Sequence, residues 1–166
     1  MSTRHTDGGV RTAAPGDVPE LIRLVRELAA YEREPQAATA TEADFTAALF
    51  PAGGQPVAFA HVAEAGGRVV GMALWYLSFS TWTGRPGIWL EDLFVEPEHR
   101  GSGLGKELLL TLARVCVERG YPRLEWWVLD WNEPSIGFYR SLGALSQDEW
   151  TTFRVDGEAL QRMGAR

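Results

Sequence analysis

The chain has 166 residues, with 22 acidic and 16 basic side chains and a net charge of −6 at pH 7. This length predicts one domain with a real core, and the acidic balance disfavours a nucleic-acid-binding protein while allowing a cationic small molecule as partner. The single cysteine excludes a disulfide framework and a cysteine-rich metal site, and the three histidines are scattered, so we expect no metal. No apolar stretch approaches the ~20 residues of a membrane span, so we expect no membrane association.

The N-terminal part of the chain predicts a tail, a strand and two helices. Residues 1–9 lack the apolar segment of a signal peptide, so we expect a disordered tail on a cytoplasmic protein. Residues 10–13 predict a short strand. A helix with one apolar face begins near Asp17, a favourable capping residue, and Pro35 ends it. A second, shorter helix is predicted to be capped at Thr41.

The middle of the chain predicts three strands. Residues 57–64 and 68–79 form two of them around Gly66–Gly67, which supply the positive backbone angles of a tight turn. Residues 80–87 predict a loop. The mostly apolar run at 88–95 predicts a strand that is buried on both faces.

The remainder completes a mixed α/β sheet. A helix runs from about Leu104 to Arg119 and stops at Gly120. Residues 123–130 predict a strand, Asn132 caps a short helix, and residues 150–155 predict a last strand. The order is therefore β-α-α-β-β-β-α-β-α-β, without internal repeat or domain boundary.

A glycine-rich loop, "RGSGLGK" at residues 100–106, lies between a strand and a helix. It is not a P-loop, because Arg100 occupies the first glycine position of that motif. It is not a dinucleotide fingerprint either, because Lys106 occupies the third glycine position.

The same loop has the features of an anion site. Backbone N–H groups at a helix N-terminus favour an anion by about 0.3–1 kcal/mol, and glycine allows the backbone to approach it closely. Arg100 and Lys106 add positive charge in an acidic protein. A plain strand-to-helix turn is the alternative when the loop is taken alone.

The surroundings of the loop resemble a known family. R-G-x-G-x-G after "LEDLFV" is similar to the pyrophosphate-binding motif of the GNAT superfamily of N-acetyltransferases. The segments at 76–109 and 131–144, the latter "WNEPSIGFYRSLGA", resemble its spermidine/spermine N-acetyltransferase branch, and residues 13–32 are similar to that branch's first helix. The chain departs from the branch at residues 50–57 and in the aromatic residues of "STWTG".

The resemblance implies a fold and a reaction. The fold is a GNAT-type α/β domain over residues 10–166, with a mixed, mostly antiparallel central sheet, splayed parallel strands and flanking helices. The reaction is transfer of an acetyl group from acetyl-CoA by direct attack in a ternary complex. The branch forms homodimers, so we expect one here.

Two side chains are the candidate proton-transfer groups. Tyr139 corresponds to the tyrosine that protonates the CoA sulfur, and Glu91 is the candidate acceptor of the amine proton, directly or through water. Strand alternation places Glu91 and Asp92 on opposite faces. Packing of Tyr139 on the core, and satisfaction of the carboxylates by arginine or backbone, are the alternatives.

The family's cofactor contacts fall on three segments of this chain. The strand before the loop pairs its free backbone groups with pantetheine amides, and a backbone N–H there polarises the thioester oxygen. The implied cofactor-binding residues are Leu93, Phe94, Val95, Arg100, Gly101, Ser102, Gly103, Leu104, Gly105, Lys106, Asn132, Glu133, Pro134 and Ser135.

The implied substrate-binding residues are aromatic or acidic, a combination that suits an alkylammonium group. Core packing is the alternative for the tryptophans. The resemblance implies Tyr31, Glu32, Glu91, Glu125, Trp126 and Trp127, and we add Asp92, which adjoins Glu91, and Trp82, which we expect to line the same cleft.

We therefore expect an N-acetyltransferase that acts on a small cationic primary amine, such as a diamine, a polyamine or a lysine-like amino acid. An aminoglycoside or a protein amine is the alternative acceptor. A CoA-binding regulator without turnover is the alternative of another class.

Overall fold

The computed structural model describes residues 8–165, which divide into a unit that ends at Trp127 and a second unit that begins at Val128. Residues 1–7 of the expected tail lie outside the described residues. The last two residues of that tail lie against the sheet, since the Gly9 carbonyl accepts a hydrogen bond from the Glu64 N–H at 2.9 Å. No described helix is long and apolar enough to cross a membrane.

The first unit is a five-stranded sheet with three helices. The strands lie in the order in which they occur along the chain, and the first three pairs of neighbours are antiparallel while the fourth pair is parallel. Their bounds are β1 Val10–Thr12, β2 Phe59–Ala65, β3 Arg68–Ser80, β4 Arg85–Val95 and β5 Leu124–Trp126. The helices are α1 Val18–Tyr31, α2 Glu42–Leu49 and α3 Leu104–Arg119.

Local sequence explains most of these boundaries. The predicted cap of α2 is confirmed, because Thr41 Oγ1 accepts a hydrogen bond from the Asp44 N–H at 3.3 Å. Asp17 precedes α1, but its carboxylate binds Arg11 and the Ala14 N–H instead of the first turn of that helix. The loop predicted at 80–87 is a turn over residues 81–84, since β3 and β4 continue pairing through Ser80 and Arg85.

Helices cover both faces of the sheet in this unit. Leu21 and Leu24 of α1 pack with Val62, Met72 and Phe94 in one hydrophobic core. Val95 follows Phe94 and so faces the other side, where its side chain lies 3.7 Å from the position that a Cβ on Gly105 of α3 would take.

The parallel strands separate after a short contact. β5 pairs with β4 only across Ile88–Leu90, so within the described part of the chain the next residues of β4, 91–95, have no β5 partner on that edge. This confirms the predicted splay and leaves the backbone groups of that edge open.

The second unit contains two helices, α4 Glu133–Ser141 and α5 Gly157–Gly164. The predicted capping of α4 by Asn132 is confirmed. The predicted last strand is wrong: residues 150–155 form no strand, and Phe153 is 90% exposed. Alternating β-formers favour a strand only where a partner accepts their backbone hydrogen bonds, and none does so among the described residues.

Candidate active site

The glycine loop, residues 100–106, leads into the N-terminus of α3 and leaves its first N–H groups free of intrahelical acceptors. The first intrahelical bond of α3 runs from the Glu107 N–H to the Gly103 carbonyl at 2.9 Å, so the N–H groups of the three preceding residues have no acceptor within the helix. Gly101 and Gly103 have φ values of 79° and 90°, a conformation that side chains disfavour. The loop thus has the free backbone donors that the predicted pyrophosphate site requires, and the site itself stays a prediction.

Arg100 does not extend toward that helix start. Its Nε–H donates to the Val95 carbonyl at 3.0 Å, and its guanidinium lies 4.9 Å from the ring centre of Tyr31 and 5.4 Å from that of Phe94. The positive charge at the helix start therefore comes from the backbone and from the exposed Lys106.

A β-bulge reshapes β4 at the candidate proton acceptor. Leu74 pairs with Asp92 and Trp75 with Leu90, so Glu91 is the extra residue. Bulges redirect side chains, and here Glu91 is exposed and accepts a hydrogen bond from Trp89 Nε1 at 3.2 Å. Simple alternation did not predict this bulge.

Three carboxylates, Glu32, Glu91 and Asp92, form what we call the acidic corner. Burial, then the charges of Glu91 and Glu32, raise the pKa of Asp92 to about 6. Burial also raises the pKa of Glu32, at the end of α1. Among the described residues no lysine or arginine forms an ion pair with Asp92. A cation that enters the corner would relieve this repulsion.

Aromatic side chains flank the acidic corner. The Trp89 and Trp127 rings meet edge to face with centres 5.0 Å apart, and Trp127 is largely exposed. Partial burial, then the charge of Glu91, raise the pKa of the Tyr76 hydroxyl, which places Tyr76 beside this carboxylate. Sequence reasoning missed Tyr76, although it lies opposite Trp89 in the β3–β4 register.

Two other predicted substrate residues lie at the hairpin tip and on β5. Trp82 is at the tip of the β3–β4 hairpin, 94% exposed, and the strand from Arg85 to Glu91 measures about 20 Å. Glu125 lies in β5 beside Arg123, whose Nε is 3.5 Å from its carboxylate. Trp82 thus lies at the hairpin tip and Glu91 toward the other end of β4, and a place for Trp82 in the substrate cleft stays a prediction.

The second unit holds the remaining predicted residues. Asn132 Oδ1 accepts a hydrogen bond from the Ser135 N–H at 3.4 Å and begins α4, on whose first turn Glu133 and Pro134 lie. Tyr139 is half-buried on α4, with its ring centre 5.4 Å from that of Phe138. Asn132 therefore caps α4. The cofactor contacts of this segment and the proton-donor role of Tyr139 stay predictions.

Sequence reasoning also missed Glu96, which follows β4 and is buried. Its carboxylate accepts hydrogen bonds from Arg23 at 2.5 Å and Arg68 at 2.6 Å. Burial opposes its ionisation, but these two arginines outweigh burial, and the pKa of Glu96 is lowered. No group of three metal-binding side chains occurs among residues 8–165.

Comparison with known proteins identifies the family. The Acetyltransferase (GNAT) family profile matches residues 21–144. A thialysine N-epsilon-acetyltransferase of Bos taurus is 38% identical over 95% of this chain and 97% of its own length. A spermidine/spermine N(1)-acetyltransferase-like protein 1 of Homo sapiens is 35% identical over 93% of this chain and 23% of its own length.

A solved structure supports the fold. An integron cassette protein from the mobile metagenome of V. cholerae superimposes with a TM-score of 0.79 at 23% identity, over 96% of this chain and 98% of that one. The chain therefore belongs to the GNAT family, in its spermidine/spermine acetyltransferase-like branch, and is an N-acetyltransferase.

Proposed function

We propose that the protein transfers the acetyl group of acetyl-CoA to the terminal amine of a small, lysine-like cation. The observation that carries this proposal is the juxtaposition along β4. The open edge at residues 91–95 leads into the glycine loop on one side, and two of the three carboxylates of the acidic corner, Glu91 and Asp92, lie on the same strand. One strand thus serves an anionic cosubstrate and a cationic acceptor.

The cosubstrate binds through backbone groups. The pyrophosphate accepts hydrogen bonds from the N–H groups at the start of α3, with Lys106 nearby, and the pantetheine amides pair with the open edge at Leu93–Val95. Phosphate binding at a helix N-terminus and β-type pairing at a free edge are both recurrent. Asn132 and Ser135 contribute contacts that the family resemblance implies.

The acceptor binds at the acidic corner. An alkylamine has a solution pKa near 10, so it arrives as a cation and must lose a proton before it attacks. Glu32 holds the charged acceptor, and the pair Glu91–Asp92 receives the proton, directly or through water. Asp92, with a pKa of about 6, is suited to accept a proton near neutral pH.

Acetyl transfer follows once the amine is neutral. The neutral amine nitrogen forms a bond to the thioester carbon, the carbon–sulfur bond breaks, and the electron pair of that bond leaves on the CoA sulfur. Tyr139 donates its hydroxyl proton to this thiolate, and the second proton that the nitrogen loses on becoming an amide restores the Tyr139 hydroxyl through water. No covalent acyl-enzyme forms.

The relatives point to the class of acceptor. The Bos taurus relative is named for the Nε amine of thialysine, a lysine analogue, and an Arabidopsis thaliana relative is named for the N5 amine of L-ornithine. Lysine-like amino acids are therefore the first acceptors, with diamines and polyamines next. A homodimer and a cytoplasmic location complete the proposal, and light scattering tests the former.

The test is a panel of amines assayed for release of free CoA, with calorimetry of CoA binding. Lysine, thialysine and ornithine should be acetylated faster than a neutral amine or an aminoglycoside. Binding of CoA without turnover of any amine would favour a regulator and contradict the proposal.

A glycine substitution tests the cosubstrate site. Gly103→Asp places a carboxylate at the helix start and should weaken CoA binding about a hundredfold. Gly84→Asp is the matched control, because Gly84 also has positive φ and open surroundings but lies in the hairpin turn. Equal CoA affinity of both folded variants would place the cosubstrate elsewhere.

A further inference from the structure

We infer that Glu96 is a positioning residue for the glycine loop, one that sets the affinity for acetyl-CoA without touching it. This inference rests on the proposed function. Glu96 lies between the last residue of β4 and the short helical turn Pro97–His99 that leads into the loop.

Glu96 is fixed by groups from two elements, α1 and β3. Its N–H donates to the Val70 carbonyl in β3 at 2.9 Å. Its carboxylate accepts from Arg23 of α1 at 2.5 Å and from Arg68 of β3 at 2.6 and 2.8 Å. Arg23 also donates to the Val69 carbonyl at 3.0 Å. The end of β4 is thereby tied to α1 and to the start of β3.

A short hydrogen-bond path continues from Glu96 into the loop. The His99 N–H donates to the Glu96 carbonyl at 2.9 Å. The His99 carbonyl in turn accepts from Ser102 Oγ at 2.5 Å and from the Ser102 N–H at 3.4 Å. Gly103, the N-cap residue of α3, follows Ser102 directly. Rotation of Glu96 would therefore change the direction in which the free N–H groups of α3 point.

The chemistry of the cluster favours positioning over stability. A buried carboxylate that binds two arginines gains little net stability over an apolar group of the same size, because removing the charges from water offsets their attraction. What the cluster does provide is a fixed geometry. Anion binding by backbone dipoles depends on that geometry, because the dipoles must converge on one point.

The test compares Glu96→Gln with Glu27→Gln. The Glu27 carboxylate also binds Arg23, at 2.8 Å, but it takes no part in the hydrogen-bond path from Glu96 to the loop. Glu27→Gln therefore changes a partner of Arg23 and leaves that path intact. CoA affinity is measured by calorimetry, and amide hydrogen exchange is followed at His99, Arg100 and Ser102, whose N–H groups are hydrogen-bonded along this path. Glu96→Gln should weaken CoA binding about tenfold and speed exchange in the loop, with the kcat and amine KM at saturating acetyl-CoA nearly unchanged. Glu27→Gln should match wild type in all four.

The outcomes separate this inference from the proposed function. A folded Glu96→Gln variant with wild-type CoA affinity and loop exchange overturns the inference. If Glu96→Gln does not fold, Arg68→Gln takes its place: it leaves Arg23 on Glu96 and should weaken binding about threefold, and wild-type affinity there overturns the inference. If wild type itself binds no CoA, the proposed function fails, while the exchange of the loop amides still tests whether Glu96 fixes the loop.

Discussion

Asp92 and Glu96 are carboxylates of the same chain segment, at the end of β4, yet their surroundings act in opposite directions. Asp92 lies near two other carboxylates, and its pKa is raised to about 6. Glu96 lies between Arg23 and Arg68, and its pKa is lowered. Pairs of groups whose pKa values are moved apart indicate a division of roles. Glu96 stays ionised to hold structure, whereas Asp92 is able to exchange a proton near neutral pH.

The contrast shows how burial alone does not decide the role of a carboxylate. Both side chains lose water, which favours the neutral acid. At Glu96 the fold supplies cations from α1 and β3. At Asp92 it supplies none among the described residues, so a cationic ligand is the partner that this position lacks.

The largest expected effect is a loss of kcat at Tyr139, which concerns proton delivery and not proton removal. Removal of the amine proton is proposed for the acidic corner, and delivery of a proton to the CoA thiolate is proposed for Tyr139. Tyr139→Phe keeps the ring but deletes the donor, so kcat should fall by about 10²–10⁴-fold while CoA affinity is unchanged. Steady-state kinetics and calorimetry measure both. A wild-type kcat across the pH range would assign the proton to another group.

The next effect tests Asp92 against its neighbour. Asp92→Asn removes the group that exchanges the proton, and kcat should fall about a hundredfold. In wild type, kcat/KM should fall tenfold per pH unit below about 6, because protonated Asp92 cannot accept a proton. This acidic limb should vanish in Asp92→Asn and persist in Glu91→Gln. A limb that disappears in Glu91→Gln instead would make Glu91 the titrating group.

A smaller effect is expected at Glu32. Glu32 is proposed to hold the charged acceptor in ground and transition states alike, so Glu32→Gln should raise KM for the amine about tenfold with little change in kcat. Glu34→Gln is the control, an exposed carboxylate two residues further on. The effect should be strong for lysine and absent for a neutral amine. An equal change for both would exclude a charge interaction.

The sequence predicted the parts of the site that depend on contiguous residues. The glycine loop, the helix after it and the Asn132 cap were predicted correctly because each depends on a few neighbouring residues. The bulge at Glu91 and the stacking of Arg100 on Tyr31 were not predicted, because each requires elements far apart in the chain. A period-2 pattern has no signal for one extra residue.

The same limit explains the errors at the C-terminal end and at the hairpin. Residues 150–155 have the β-forming residues of a strand but no described partner, and α5 follows in their place as an unpredicted element. At the hairpin, the loop predicted over residues 80–87 is a turn over residues 81–84, because β3 and β4 pair through Ser80 and Arg85. Local propensity carries no information on which strands pair or how far the pairing extends.

The smallest expected effect concerns stability and gives the two carboxylates opposite signs. The folded-state pKa of Asp92, about 6, lies above its unfolded value near 4, so the folded protein binds this proton more tightly and loses stability as pH rises from about 4 to 6. Ionised Asp92 then opposes folding by about 1–3 kcal/mol at pH 7.5. Asp92→Asn should therefore raise the free energy of unfolding at pH 7.5 while lowering activity, and the gain should disappear near pH 4. Glu96→Gln should lower it at pH 7.5, because a carboxylate with a lowered pKa stabilises the fold above its unfolded pKa and stops doing so as pH falls through its folded one. Urea titrations of both variants at pH 4, 6 and 7.5 measure the two curves. If Asp92→Asn were less stable than wild type at every pH, the carboxylate would have a stabilising partner, and the contrast between Asp92 and Glu96 would be lost.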